Sequence, residues 1–326
     1  MPEIMEKGIG IAVIGCGCWG PNLVRIFSSM PGCGEVRVWD IIRERMEAAA
    51  RCNPGTRKVR SLQEILDDQN MDAVAIATPP GAHYEIAKKA LLSGKHVFVE
   101  KPMTLSVAHA RALTASARKQ KKILMSGHVF LYNPAVAGIA DMVGQGAIGK
   151  LRRLEFFRAG SRRACFCGPG TNVLWDLASH DISIALHLTG KMPKSVAAET
   201  RPPRCSGWDG WGRLKLYFPG GMEVTITASW FSPFKIRFAV VSGSSGAIIY
   251  DDTRQDFPLR LHSRSRSHEP KVRATEPLAL ECREFMDAIR TGIVPVSSGD
   301  FGLKVVKILE AADISARARG KMTAVE

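Results

Sequence analysis

Three side chains in this sequence have the types and spacing for general acid–base chemistry: Lys101, Asp176 and His180. Lys101 follows the apolar run His96–Val99 and precedes Pro102, which fixes the direction of the chain. An ammonium at the carboxyl end of a strand can hydrogen-bond a substrate oxygen, and burial lowers its pKa toward a working range. Asp176 and His180 lie four apart in Trp175-Asp176-Leu177-Ala178-Ser179-His180-Asp181, so both project from one face of a predicted helix. There the imidazole would move a proton while the carboxylate orients it or binds a hydroxyl. The same spacing also suits a helix-surface pair, and the residues alone leave both readings open. His187 reads as structural.

A glycine turn supplies a place for a cofactor. The apolar run Ile9–Ile14 gives way to Gly15, Gly17 and Gly20, with helix-compatible sequence after them. Gly15 permits the tight turn, Gly17 admits a pyrophosphate to the backbone N–H groups, and Gly20 lets helix and strand pack closely. The helix N-terminus adds unpaired N–H groups and a partial positive charge. Cys16 and Cys18 act as small residues in this turn, and Trp19 either covers the nicotinamide or ribose or simply packs. The run Glu35–Trp39 ends in Asp40, where a carboxylate can bind the adenosine ribose diol. That carboxylate repels a 2′-phosphate, and Ile41 and Ile42 offer no cation to receive one. Arg43 weakens the preference without reversing it. NAD is therefore expected over NADP.

The chain has 326 residues, 45% hydrophobic and 23% charged, as in a soluble globular protein of two domains. No apolar run reaches the roughly 18 residues that span a bilayer. The opening MPEIMEKGIG lacks the basic and apolar regions of a signal peptide. A cytoplasmic protein without a membrane partner is expected. The eight cysteines include two C-x-C pairs, Cys16/Cys18 and Cys165/Cys167, and no C-x-x-C; reduced thiols and no metal site are expected. The net charge of +14 is scattered apart from Arg162–Arg163 and Arg254–Arg273, and no aromatic-interleaved basic motif appears. It suits capture of an anionic small substrate or a solvated basic surface; a nucleic-acid partner is not expected.

The elements that must position these residues follow in order. Strand-like runs at 9–14, 35–39, 72–77, 96–99 and 123–125 alternate with helix-like ones, the mark of a doubly wound parallel sheet. Gly15, Asp40, Thr78, Glu100 and Lys101 fall at the carboxyl ends of those strands, where such sheets bind ligands. After Asn133-Pro134 the pattern changes. Helices are predicted over 135–145 and 171–188. Strands at 151–159, 196–199, 214–218, 223–229, 236–242 and 247–250 then predict a mainly antiparallel sheet. Arg254–Ala274 reads as an exposed loop, and helices near 278–290 and 302–316 close the chain. The expected fold is α/β, with a dinucleotide-binding domain at 1–127 and a substrate-binding and oligomerisation domain at 128–326. His128, Tyr132 and Asn133 fall at the junction, where Asn133 or Tyr132 would bind a sugar hydroxyl or form a structural turn.

With these residues in hand, the chain resembles the Gfo/Idh/MocA oxidoreductase family nearly end to end. The resemblance rests on IAVIGCGCWGPNLVRIF, the Ala77–His83 segment, LLSGKHVFVEKPMTL, GHVFLYNPA, LWDLASHDISIALHLTG and LECREFMDAIRTGIVPVSSGDFGLKVVKILEAA. It implies a Rossmann domain, and a C-terminal α/β domain whose open sheet often serves as an oligomer interface. A homodimer or homotetramer follows. It also implies hydride transfer between NAD(P) and a sugar or cyclitol CH–OH carbon, with Lys101, Asp176 and His180 at the active-site positions and Lys101 or His180 as acid–base. By the same carry-over, cofactor contacts fall at Gly15, Gly17, Cys18, Trp19, Gly20, Asp40, Thr78, Pro79, His83, Glu100 and Lys101. Substrate contacts fall at Lys101, His128, Tyr132, Asn133, Asp176 and His180. The turn and the LWDLASHDIS helix look most like the branch acting on nucleotide sugars, whose best-known member type oxidises C3 of UDP-N-acetylglucosaminuronic acid. A ketosugar reductase, an inositol-type dehydrogenase and an enzyme that reoxidises its NAD within each turnover are the neighbouring readings. A non-catalytic NAD-binding sensor is the reading of another class; it has no need to keep all three active-site residues.

Overall fold

The computed structural model describes residues 8–161, 171–201, 210–254, 258–263 and 267–326. Arg162–Arg163 and Cys165/Cys167 lie outside the described residues, as does much of the basic SRSRS tract. The chain divides into two compact units, Met1–His128 with Leu278–Leu303, and Val129–Pro277 with Lys304–Glu326.

In the first unit, strands β1 (Ile9–Ile14), β2 (Cys33–Trp39), β3 (Arg57–Lys58), β4 (Ala73–Ile76), β5 (His96–Glu100) and β6 (Leu124–Gly127) form one parallel sheet. Its order is β3-β2-β1-β4-β5-β6, which reverses direction between β1 and β4 and opens a crevice at the carboxyl ends there. Every residue of β1 and β4 is buried, as strands covered on both faces require. The intervening helices are α1 (Gly20–Ser28), α2 (Arg43–Cys52), α3 (Leu62–Asp67), α4 (Pro80–Leu92) and α5 (Val107–Lys119). Ser61 caps α3, its Oγ accepting the Glu64 N–H at 3.1 Å.

The sequence assigns all of 128–326 to the second domain, whereas Leu278–Leu303 groups with the first. The reason is apolar. Helix α8 (Pro277–Thr291) sets Phe285 edge-on against Phe98 of β5, 5.8 Å between ring centroids. The chain beyond α8 stays there because the Ser126 N–H donates to Ser297 O at 2.8 Å.

The second unit carries a 3₁₀ turn (Val129–Tyr132), α6 (Pro134–Gly144), α7 (Ser179–Thr189) and strands β7 (Leu151–Ser161), β8 (Ser195–Arg201), β9 (Trp211–Tyr217), β10 (Glu223–Ser229), β11 (Phe231–Gly243), β12 (Gly246–Asp251), β13 (Leu259–Ser263), β14 (Ser267–His268) and β15 (Thr323–Ala324). Its sheet runs β14-β13-β12-β11-β7-β10-β9-β8-β15. All pairings are antiparallel except β7 with β10 (Glu223–Ser229). The Arg254–Ala274 stretch, expected to be loop, contributes strands β13 (Leu259–Ser263) and β14 (Ser267–His268). Leu259 and Leu261 alternate inward against Tyr250 and Ile248 of β12 (Gly246–Asp251). Helix α9 (Gly299–Arg317) closes the chain before β15.

Candidate active site

The first unit builds a dinucleotide cradle from its glycines. Gly15 sits at φ +94°, and a Cβ there would lie 2.8 Å from the Ala77–Thr78 backbone. A Cβ at Gly20 would collide with Gly15 O, whereas nothing lies within 4 Å of one at Gly17. Helix α1 begins without a side-chain cap; Pro21 in its first turn has no N–H, and the Asn22 N–H donates to Trp19 O at 3.0 Å. Thr78 Oγ1 is buried with no partner among the described residues, an orphaned polar atom at the same sheet edge. These features fit a dinucleotide. Asp40 holds the turn itself: its carboxylate accepts the Cys16 N–H at 2.5 Å and the Ile42 N–H at 2.7 Å. Each oxygen keeps a lone pair for a ribose hydroxyl. Trp19 is half-buried, and Cys18 and Pro79 are exposed.

The cysteines follow the expected thiol chemistry at Cys16, Cys33, Cys52 and Cys282, which are free. Burial, aided by the Asp40 charge, pushes the Cys16 thiol up to about 12, so it is inert. Cys18 departs from the expectation: its sulfur is in a disulfide. Among the described residues no cluster of three His, Cys, Asp or Glu side chains is placed to hold a metal ion.

Strand β5 delivers Glu100 and Lys101, 7% and 4% exposed, and the Lys101 N–H donates to Glu100 Oε2 at 3.2 Å. Burial pushes the Glu100 carboxyl up to about 7, against the pull of Lys101. His83, expected to touch the cofactor, is wholly buried instead. Its Nδ1 lies 2.9 Å from Pro102 O and its Nε2 2.8 Å from Thr78 O. Both ring edges are thus occupied, and burial with the Lys101 charge lowers its pKa. His83 braces the loops that carry Thr78 and Lys101. His128 is also buried, 1% exposed, and its ring packs edge-on to Phe301 at 5.5 Å.

The second unit places Asp176 and His180 on one continuous helical segment, but not on a uniform α-helix. Leu174–Ala178 is a π-helical turn that runs into α7. Such turns insert one extra residue and concentrate at functional sites. Asn172 starts the turn by accepting the Leu174 and Trp175 N–H groups, and Asp313 accepts from both Asn172 and the Trp175 indole, at 3.0 and 2.8 Å. The Trp230 indole N–H donates to Asp176 Oδ2 at 3.0 Å. His180, 8% exposed, packs edge-on to Phe130 at 4.9 Å.

Behind His180, Arg158 and Asp181 form a buried bidentate pair, 2.6 Å at the shortest. Arg158 lies over the Phe130 ring at 4.3 Å and Arg237 at 5.1 Å. Asn133, a proposed sugar ligand, is used structurally: Oδ1 caps α6 through the Ala135 N–H, and Nδ2 donates to Tyr250 Oη and Asp252 Oδ1. Tyr132 beside it is half-buried.

Sequence reading passed over Trp230, Phe130 and Arg158. Arg158 carried a legible signal, since it shares the inward register of Leu154 and Phe156 and a cation there demands a buried partner. Trp230 and Phe130 carried none, because their partners are distant in sequence.

Residues 9–128 match the oxidoreductase family, NAD-binding Rossmann fold, of the GFO/IDH/MocA group, and residues 136–249 match the GFO/IDH/MocA C-terminal domain. The scyllo-inositol 2-dehydrogenase (NAD(+)) of Bacillus subtilis is 29% identical over 309 residues, covering 90% of this chain and 89% of that protein. The dTDP-3,4-didehydro-2,6-dideoxy-alpha-D-glucose 3-reductase of Streptomyces violaceoruber is 28% identical, covering 85% and 80%. The solved UDP-N-acetylglucosamine 3-dehydrogenase GnnA of Acidithiobacillus ferrooxidans shares the fold, with TM-score 0.85 at 24% identity over 95% and 98% of the two chains. No helix among the described residues is long and apolar enough to cross a membrane. The two matches, on a unit with a parallel six-stranded sheet and a unit with a mixed sheet, place this chain in the Gfo/Idh/MocA family of oxidoreductases.

Proposed function

We propose that the protein transfers a hydride between NAD and a CH–OH or C=O carbon of a sugar, a nucleotide sugar in the reading we favour, as a 3-dehydrogenase. The observation that carries this is the buried Asp176 carboxylate, held by Trp230 one turn before His180 on a π-to-α helical segment. A surface pair needs no such burial. The retained trio of Lys101, Asp176 and His180 also speaks against a non-catalytic sensor.

Bound NAD supplies the hydride acceptor. The residues of the chain do the rest. Lys101 hydrogen-bonds the reacting oxygen, Asp176 orients the substrate or the imidazole, and Lys101 or His180 takes the hydroxyl proton as the carbonyl forms. In the reverse direction the same group returns that proton to the alkoxide. Asp40, with two exposed isoleucines after it, supports NAD over NADP. The net charge of +14 suits an anionic sugar nucleotide.

The outer face of β7 and β11 (Phe231–Gly243) supports a homo-oligomer. Phe157, Ile236 and Phe238 are partly exposed side by side, and Phe238 pairs with Phe157 across the strands. Light scattering should therefore give a dimer or tetramer mass, and Phe238→Glu should lower it; a monomeric wild-type protein would overturn this part of the reading.

The test of the reaction is NADH formation on incubation with NAD and a panel of nucleotide sugars, with scyllo-inositol as the neutral cyclitol. Turnover of one nucleotide sugar, lost about 10²-fold or more in Lys101→Ala at unchanged NAD affinity, is the expected result. Turnover of the cyclitol alone would replace the substrate class. Tight NAD binding with no turnover in either direction would favour the sensor.

A further inference from the structure

Phe130 is where His180, Arg158 and Arg237 meet in the second unit. The His180 ring packs edge-on to it at 4.9 Å, the Arg158 guanidinium lies over it at 4.3 Å and the Arg237 guanidinium at 5.1 Å. Phe130, Arg158 and His180 are all buried. Arg158 and Arg237 are direct cross-strand partners on β7 and β11, an arrangement in which like charges repel. Each is balanced by its own carboxylate. Arg237 Nη1 donates to Asp252 Oδ2 at 2.6 Å. Arg158 turns instead to Asp181, the residue that follows His180.

Arg158 Nε donates to both Asp181 oxygens at 3.1 Å, and Nη2 donates to Oδ1 at 2.6 Å. Such a fork fixes angle and distance together, which a point charge does not. Asp181 lies in the first turn of α7, beside His180 on the same backbone. The links therefore close a ring. It runs from His180 to Asp181 along the chain, to Arg158 by the fork, to Phe130 by stacking, and back to His180 edge-on. One guanidinium thus holds both the backbone and the side chain of His180.

Stability alone does not account for the pair. A buried ion pair gains little over well-packed apolar residues of the same volume, because desolvation of both charges offsets their attraction. Leu154 and Phe156, inward on the same strand, fill that face with apolar atoms alone. Arg158 Nη1 is also buried with no hydrogen-bond partner among the described residues, which adds to the cost. What the fork supplies, and an apolar side chain does not, is direction.

We propose that Arg158 is a positioning residue: through Asp181 it sets the first turn of α7, and through Phe130 it sets the His180 ring, so that the imidazole is held in one orientation before substrate binds. This rests on the reading of His180 as a group that meets the substrate.

The experiment compares wild type with Arg158→Lys, Phe130→Leu and the paired replacement Arg158→Met/Asp181→Leu, which removes both charges together. The paired variant should melt cooperatively near the wild-type midpoint, yet lose about tenfold or more in kcat with KM and NAD affinity within about threefold. R158K keeps the charge and loses the fork; F130L keeps the pair and loses the ring. Both should show the same split. Because they cut one ring of contacts, R158K/F130L should lose no more than the worse single variant. Proton–carbon spectra of protein with labelled histidine rings give a second readout, with the His180 signal assigned by His180→Gln. Wild type should show one His180 signal, and each variant a broadened or second one. A paired variant with wild-type kcat and an unchanged His180 signal would overturn the proposal, as would additive kcat losses in R158K/F130L. Should the paired variant fail to fold, R158K, F130L and their combination decide on the same readouts. Wild-type protein inactive on every sugar would overturn the functional reading; the His180 signal, read without substrate, would still decide this one.

Discussion

The Trp230 indole N–H donates to the Asp176 carboxylate at 3.0 Å, and both side chains are buried although 54 residues separate them. A hydrogen bond to a charged group contributes about 1.5–3 kcal/mol. Trp230→Phe removes the N–H and keeps an aromatic ring, so kcat/KM should fall about 10- to 100-fold on any accepted sugar. Steady-state kinetics beside a thermal melt checks this. A melt shifted as far as the kinetics would mark Trp230 as packing alone.

Asp40 faces two backbone N–H groups in the nucleotide turn. Asp40→Ala should weaken NAD binding about tenfold or more through lost ribose and turn contacts. NADP, whose 2′-phosphate the carboxylate repels, should lose less. Fluorescence titration with both cofactors reads the ratio, and equal losses would remove Asp40 as the selector.

His96 at the start of β5 accepts the Ile123 N–H through Nδ1 at 3.0 Å, which requires a neutral ring. Burial, with the Lys122 charge, pushes its pKa from 6.5 down to about 4. The unfolded chain therefore binds more protons between those values, and stability falls as pH drops from 6.5 to 4. The half-buried ring discounts the effect to roughly 1 kcal/mol. His96→Asn should flatten the difference between denaturation curves at the two ends of that window, and an unchanged difference would assign the acid sensitivity elsewhere.

Cys18 is in a disulfide, so two of the eight cysteines are oxidised in that state. Thiol titration of denatured protein should then find at most six before reduction and eight after it. Eight without reductant would show the thiols free throughout.

How far the sequence reached depended on the range of the interaction. The glycine turn, the apolar runs of β1 and β4, the carboxylate at Asp40 and the Lys101-Pro102 step are all local patterns. Backbone sterics and strand burial impose them wherever they occur. The parallel sheet and its ligand edge were therefore legible before any coordinates. The mixed second sheet was legible only as a succession of strands. Its order and the parallel β7–β10 pair are long-range choices, and β13 hid inside a polar, basic stretch.

At the site, the same division holds. Residue type and four-residue spacing marked Asp176 and His180 as candidates and left a helix-surface pair equally open. Only the fold decided that a π-helical turn carries Asp176, that Trp230 and Phe130 meet the pair, and that the His83 ring is enclosed by Thr78 and Pro102. Tertiary packing alone also returned α8 to the first unit, because the place of Phe285 is set by the Phe98 ring it covers. That contact spans most of the chain, and no local pattern encodes it.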